Sequence, residues 1–375
     1  MESLENELAR LISSIRPADR EAMERAEKRQ AELAKPPGSL GRLERLSVKL
    51  AGITGEVHND FRNRALLVFC ADNGVTEEGV ASAPRSVTLA QTINLTRGKT
   101  GAAVLSRAFG CRLLVCDVGV AARIREPAVI DRKIAFGTKN IAKGPAMTRD
   151  EALRAILTGA DLADQAVREG ARALGVGEMG IGNTTTSSAV LSVLTGASIR
   201  DVTGRGAGIT DEAYRKKLRV IEQAVSLNRP DPADPADVLA KVGGFDLAAM
   251  TGAFLGAASN RVPAVVDGFI SIVAALSAAR LCPTVRDYLI PSHASYEIGY
   301  RLAAEELGLE PLFDLQMRLG EGSGVPIAMS MIDAACTVIN DMATFDEAGI
   351  DDGYLDPIRE GDAFSVNRGE EGENG

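Results

Sequence analysis

Two carboxylates framed by glycine stand out from an otherwise apolar chain. Glu321 lies in Arg318-Leu319-Gly320-Glu321-Gly322-Ser323-Gly324-Val325, and Glu178 in Gly177-Glu178-Met179-Gly180-Ile181-Gly182-Asn183-Thr184-Thr185-Thr186. Flanking glycines remove side-chain bulk and permit positive φ, so a ligand can approach the backbone with the carboxylate aimed at it. A carboxylate so placed is a candidate general base. Two such glutamates suggest one shared site.

The residues after Glu178 suit a different task. Gly180, Gly182, Asn183, Thr184 and Thr185 fall between an expected strand and an expected helix. Hydroxyls and amides at a helix start fit a phosphate cradle, and they equally fit a simple capped helix. No Gly-Lys-Ser/Thr follows at P-loop spacing. Thr203-Gly204-Arg205-Gly206-Ala207-Gly208 is a second glycine turn carrying a cation, with Lys217 on the next helix. Arg205 suits bidentate contact with a phosphate or carboxylate, or is a surface arginine in a turn. Asp72-Asn73-Gly74 reads as an Asx-type turn. His293, in Pro291-Ser292-His293-Ala294-Ser295, reads as a helix-start or core histidine against a catalytic alternative.

The elements that must position these groups follow from hydrophobic patterning. Apolar runs at 65–70, 112–116, 173–176 and 262–266 each end in a polar or glycine turn. Amphipathic or apolar helices are expected at 86–108, 149–168, 184–195, 211–227, 246–259, 269–280, 295–307 and 325–341. Strand followed by helix, repeated, argues an α/β fold with a mostly parallel sheet covered by helices on both faces. Ligands in such sheets collect beyond the C-terminal strand ends, where both glutamate turns fall. Residues 1–34 read as a helical hairpin broken at Pro17, 120–148 as a long loop near the mouth of a site, and the tail from about Asp351 as frayed at its end. The expected domains are 1–62 and 326–375 as parts of a small helical domain and 63–325 as the large α/β domain.

Composition narrows the partners. A net charge of −9 over 375 residues opposes nucleic acid, while an anionic small molecule remains compatible with backbone amides and helix N-termini. Five cysteines show no CxxC spacing and read as buried hydrophobes. An acidic start without signal-peptide features, and apolar runs far short of the roughly 20 residues of a membrane span, argue a cytoplasmic protein with no membrane partner. With two histidines, His58 and His293, a histidine-rich metal site is excluded. No metal or cofactor is expected, although a carboxylate-bound magnesium is compatible.

Together these segments resemble the nicotinate-nucleotide:dimethylbenzimidazole phosphoribosyltransferase family of cobalamin lower-loop assembly. The matching segments run in family order: Lys35-Pro36-Pro37-Gly38-Ser39-Leu40-Gly41, Asp72-Asn73-Gly74-Val75, the turns holding Glu178 and Arg205, Asp267-Gly268-Phe269-Ile270, Ser292-His293-Ala294-Ser295 and the Glu321 turn. The resemblance implies a Rossmann-like large domain, a small helical domain from both chain ends, and a homodimer with active sites near the interface. It also implies transfer of ribose 5-phosphate from nicotinate mononucleotide to 5,6-dimethylbenzimidazole, giving α-ribazole 5′-phosphate and nicotinate. The family's catalytic glutamate falls on Glu321 and its second active-site glutamate on Glu178. Phosphoribosyl binding falls to Gly180, Gly182, Asn183, Thr184, Thr185, Gly204, Arg205, Gly206 and Lys217.

The base pocket is expected at Ser82, Gln91, Met179, Leu319, Gly322, Ser323 and Gly324. Ala90 is the alternative to Gln91, and a chain without tryptophan must build the slot from aliphatics such as Leu319, Met179 and Val325. The chain departs from the family pattern at Asn73 and Tyr300, where histidine is common. Adenine or phenolic acceptors, and a non-catalytic relative that binds a nucleotide or base as sensor or partner subunit, are the alternatives.

Overall fold

A computed structural model describes residues 3–356. The chain divides into two units, one of residues 3–17 and 61–330, the other of residues 18–60 and 331–356. This differs from the expected division at the N-terminus, where residues 3–17 group with the large unit. The reason is local packing. The helix Leu4–Ser14 buries Leu8, Ser14 Oγ lies 2.8 Å from Ser259 Oγ, and Tyr288 donates to the Arg16 carbonyl at 2.7 Å. The two helices read as one hairpin, Leu4–Ser14 and Arg20–Glu32, therefore belong to different units. Residues 357–375, with the end of the tail, lie outside the described residues.

The large unit is built on a six-stranded sheet in the order β3-β2-β1-β4-β5-β6, with every pairing parallel. The strands are β1 (Arg64–Ala71), β2 (Arg112–Gly119), β3 (Ile130–Asp131), β4 (Ala173–Met179), β5 (Ala264–Val266) and β6 (Leu289–Pro291). Four match the expected runs. The others were hidden by length: β3 has two residues inside the segment read as loop, and β6 has three. Every residue of β1 is buried, as a run of apolar residues covered on both faces requires. The helices Phe245–Ser259 and Phe269–Leu281 are apolar all round and buried over nearly their whole length. No described helix is long and apolar enough to cross a membrane.

Two helix boundaries matter for the site. The stretch expected as one helix over 86–108 is two, Ser86–Thr96 and Gly101–Ala108. Gly98 at φ +68° ends the first, and Thr100 caps the second through its hydroxyl. The helix expected from 295 begins at Gly299, which leaves 295–298 as a loop. In the small unit the helices Arg20–Glu32 and Arg42–Thr54 bury Ala22, Ala26 and Ala51 with Ile339. Lys35 of the Pro-Pro-Gly motif pairs there with Glu44 at 2.8 Å.

Candidate active site

Parallel pairing places the C-terminal ends of β1, β4, β5 and β6 along one edge of the sheet. Phe69 is opposite Glu178, and Val176, Val266 and Pro291 are in register. Asn73, Glu178, Asp267 and Ser292-His293 are thereby gathered at that edge.

Glu178 is next to last in β4 and buried. One of its oxygens accepts from Asn183 Nδ2, and the other accepts the Glu321 N–H at 3.3 Å. Asn183 opens the helix Asn183–Thr195 and also donates to Asp246 Oδ2 at 3.2 Å. Asn73 reaches the same Asp246 oxygen at 3.4 Å. Burial, with the charge of Asp246 beside it, pushes the Glu178 carboxyl up to about 8, and burial pushes Asp246 up to about 6. Glu178 in the free protein therefore carries its proton near neutrality.

The Glu321 turn is left-handed at three successive residues: Gly320 (φ +82°), Glu321 (φ +63°) and Gly322 (φ +84°). For a glutamate this backbone costs about 1–2 kcal/mol, so the surroundings must hold it. Asp267 does so from the end of β5, its carboxylate accepting from Gly322 N at 3.1 Å and Gly324 N at 2.7 Å. His293 Nδ1 lies 3.9 Å from Asp267 and 3.0 Å from Ser292 Oγ, and its ring stacks on Phe313. On the strand side Gly177 lets the turn lie against β4, because a Cβ there would stand 2.6 Å from Gly322 N. The Glu321 carboxylate accepts from Ala102 N at 3.2 Å. Burial raises its pKa, opposed by the Ala102 amide and the Thr100 hydroxyl.

A cavity opens beside these groups. Its lining includes Glu178, Gly180, Asn183, Thr184, Gly206, Ser295 and Glu297, together with Met179, Leu319, Gly320, Phe269 and His293. Lys217 is buried and donates to Thr184 Oγ1 and the Gly204 carbonyl, both at 3.0 Å. Burial pushes its ammonium down to about 8. Thr185 is fully buried, its hydroxyl without a protein partner. Arg205 is turned away, pairing with Asp211 at 2.5 Å and stacking on Tyr214.

The expected base-pocket residues are only partly gathered. Met179 and Leu319 line the cavity. Gly322 and Gly324 spend their amides on Asp267, while Ser323 is buried with a hydroxyl lacking a protein partner. Val325 lies fully in the core and Ser82 is exposed, so neither lines the cavity. On the helix Ser86–Thr96, Thr88 accepts the Ile181 N–H at 3.1 Å. Gln91, at i+3, shares that face and Ala90, at i+2, does not. Gln91 itself accepts from Asn94 at 3.0 Å. Asp246 and Glu297 carry no sequence signal of their own, since each stands at the opening of an element like any surface acid. Asp267 alone had a pointer, its place directly after an apolar strand.

A phosphoribosyltransferase family model matches residues 15–350. The chain is 52% identical over 340 residues to the nicotinate-nucleotide–dimethylbenzimidazole phosphoribosyltransferase of Ruminiclostridium cellulolyticum, covering 91% of this chain and 97% of the relative. It is 49% identical to the Clostridium perfringens enzyme of the same name over 359 residues, 96% of this chain and 99% of that one. A crystal structure of that enzyme from Thermus thermophilus superposes with a TM-score of 0.85 at 39% identity, covering 89% of this chain and all of that one. The parallel α/β sheet, the linked glutamates Glu178 and Glu321 and these likenesses agree: the chain is an enzyme of the nicotinate-nucleotide–dimethylbenzimidazole phosphoribosyltransferase family.

Proposed function

We propose that this enzyme transfers the phosphoribosyl group of nicotinate mononucleotide to 5,6-dimethylbenzimidazole or a related lower-ligand base. The products are α-ribazole 5′-phosphate and nicotinate, with inversion at C1′, in cobalamin nucleotide-loop assembly. The observation that carries the reading is the hydrogen bond from the Glu321 amide to Glu178 at 3.3 Å, which joins a glutamate on the cavity wall to one that directly follows the wall residues Leu319 and Gly320.

The chemistry asks for one base and no acid. Nicotinate in the mononucleotide is a pyridinium bonded to C1′, so the breaking C1′–N bond returns its electron pair to a neutral ring nitrogen. The attacking benzimidazole nitrogen forms the new bond from the opposite face, and its other nitrogen sheds a proton, which Glu321 accepts. The start of the helix Asn183–Thr195 with Thr184, and Lys217 behind it, supports a phosphate site there. In this reading Glu178, on the cavity wall, faces C1′ as positive charge develops there. A bound pyridinium draws its raised pKa down, so the carboxyl ionises as the cation arrives and stabilises the oxocarbenium-like transition state. Leu319 and Met179 supply the apolar slot for the base. Five buried free thiols suit a reducing cytoplasm, and the reading extends to a homodimer.

Incubating the protein with nicotinate mononucleotide and a mixture of benzimidazoles, adenine and phenols tests this. Nicotinate release with a benzimidazole ribotide identified by mass is the expected result. No nicotinate release with any acceptor overturns the reading.

A further inference from the structure

We infer that Asp246, which does not line the cavity, is a positioning residue for the reaction: it turns the Asn183 amide so that an N–H faces Glu178. The inference rests on Glu178 acting at C1′, as proposed above.

Asp246 is 0% exposed and lies in the first turn of the helix Phe245–Ser259. Its Oδ1 accepts the Leu247 N–H at 2.9 Å, a contact that helix capping explains. Capping does not explain Oδ2. That oxygen accepts from Asn183 Nδ2 at 3.2 Å and from Asn73 Nδ2 at 3.4 Å, two side chains of other elements. Missing side chains make room for it: a Cβ on Gly180 would stand 2.6 Å from Asp246 Oδ2, and one on Gly244 would collide with Oδ1. Asn73 leaves its own Oδ1 buried without a protein partner to point its N–H at Asp246. The groups that favour the Asp246 charge are these amides, with no cationic side chain among them.

Asn183 Nδ2 donates to Glu178 as well. An amide carries donors on one side and an acceptor on the other, so its orientation decides whether Glu178 meets an N–H or a lone pair. Glu178 does not set that orientation. Pushed up to about 8, it holds a proton near neutrality and pairs with either end, whereas Asp246, pushed up only to about 6, is ionised there and accepts only. Asp246 therefore fixes the nitrogen toward both acids. When the pyridinium draws the proton from Glu178, the donor is already in place and no group has to turn. The other groups facing Glu178 are Asp267, which opposes its ionisation, Glu321, which gives it an amide proton, and the Cys70 thiol of β1, which burial keeps neutral. Lys217 lies behind Thr184.

The test is the pH profile of kcat/KM for nicotinate mononucleotide, which reports groups of the free enzyme, in the full-length wild type, Asp246→Asn, Asn183→Ala and the double variant, alongside thermal melts. The substrate phosphate and Lys217 titrate alike in all four. Asp246→Asn keeps an acceptor for Leu247 but places an N–H where Oδ2 stood. The Asn183 amide then turns and sets its oxygen against Glu178. The acidic limb moves up by about one pH unit, lowering kcat/KM on the limb about tenfold. In the Asn183→Ala background the same substitution removes only a like charge, so the limb moves down. Shifts of the same sign in both backgrounds, or no shift, show that Asp246 does not act through Asn183 and overturn the inference. Asn183→Ala alone raises the limb by about one unit through loss of the donor. A limb that stays in place there overturns the inference even where Asp246→Asn does not fold. Absence of nicotinate release from the wild type would overturn the proposed reaction instead.

Discussion

Glu178 and Glu321 have the same side chain, similar glycine frames and a shared hydrogen bond, yet their surroundings differ in kind. Glu178 ends a regular strand, is buried beside Asp246, and is pushed up to about 8. Glu321 sits on a left-handed turn, and donors at a helix start partly oppose the rise that its burial causes. Environment separates two identical groups: the charge of Asp246 adds to the burial of Glu178, whereas amide and hydroxyl donors oppose the burial of Glu321. The difference teaches that a glycine frame grants access, while charge state is set by what lies behind the carboxyl.

The largest effect that can break this contrast is at the base. Glu321→Gln lowers turnover by about 10²- to 10⁴-fold, the range for losing a general base, with little change in mononucleotide binding. Single-turnover nicotinate release at saturating substrates measures it. Next comes Glu178→Gln, which is permanently neutral. Turnover drops by about 10- to 100-fold, because charge stabilisation at C1′ is lost while the proton acceptor remains. The rise in mononucleotide affinity toward pH 8 that Glu178 ionisation adds in the native enzyme is absent in this variant, which keeps only the dependence set by the phosphate and Lys217. Titration calorimetry across pH 6–8.5 reads both; a native affinity that does not vary with pH would remove Glu178 from this role.

A smaller loss follows from loosening the turn. Asp267→Asn keeps the shape but turns a donor toward one of the Gly322 and Gly324 amides. An unsatisfied buried amide costs about 1–3 kcal/mol, and the left-handed Glu321 backbone loses part of what holds it. The expected result is a kcat lowered by about tenfold with the mononucleotide KM preserved. A loss confined to KM would place Asp267 in substrate binding and not behind the turn.

What could be read from sequence follows the range of the forces involved. The long apolar runs that became β1, β2, β4 and β5 are periodic and continuous, so the parallel sheet and the position of both glutamate turns were legible. The short β3 and β6 were not, because two or three residues carry no period. The helix break at Gly98 was readable in principle from Gly-Lys-Thr-Gly, yet apolar residues on both sides mimic one helix. At the site, glycine and hydroxyl clusters pointed to Glu178, Asn183, Thr184 and Glu321. The acids beside them, Asp246 and Asp267, reach Asn183 and Gly322 across 63 and 55 residues of chain, and no local pattern records that. Arg205 shows the converse, a motif residue that pairs with the helix following it through Asp211 and Tyr214.

The smallest effect is on stability, and its sign is fixed by the same acids. Glu178 and Asp246 are raised in the folded protein to about 8 and about 6, above the ordinary 4.5 and 3.8. When folded pKa values are raised, the contribution is full below the unfolded values and is lost as pH rises through the folded ones, because the unfolded chain releases those protons first. Melting temperature should therefore fall between pH 5.5 and 7.5, by a few degrees on the scale of about 2–4 °C per kcal/mol for larger domains. Lys217, pushed down to about 8, acts in the opposite sense only above that value, so this window isolates the carboxyls. Glu178→Gln flattens the upper part of the decline and leaves the part due to Asp246. Nicotinate mononucleotide also flattens it in the native enzyme, because its pyridinium draws Glu178 toward the ionised form that the higher pH demands. A melting temperature that rises from pH 5.5 to 7.5 would place the ionised form of Glu178 in the free protein, and the contrast between the two glutamates would then rest on geometry alone.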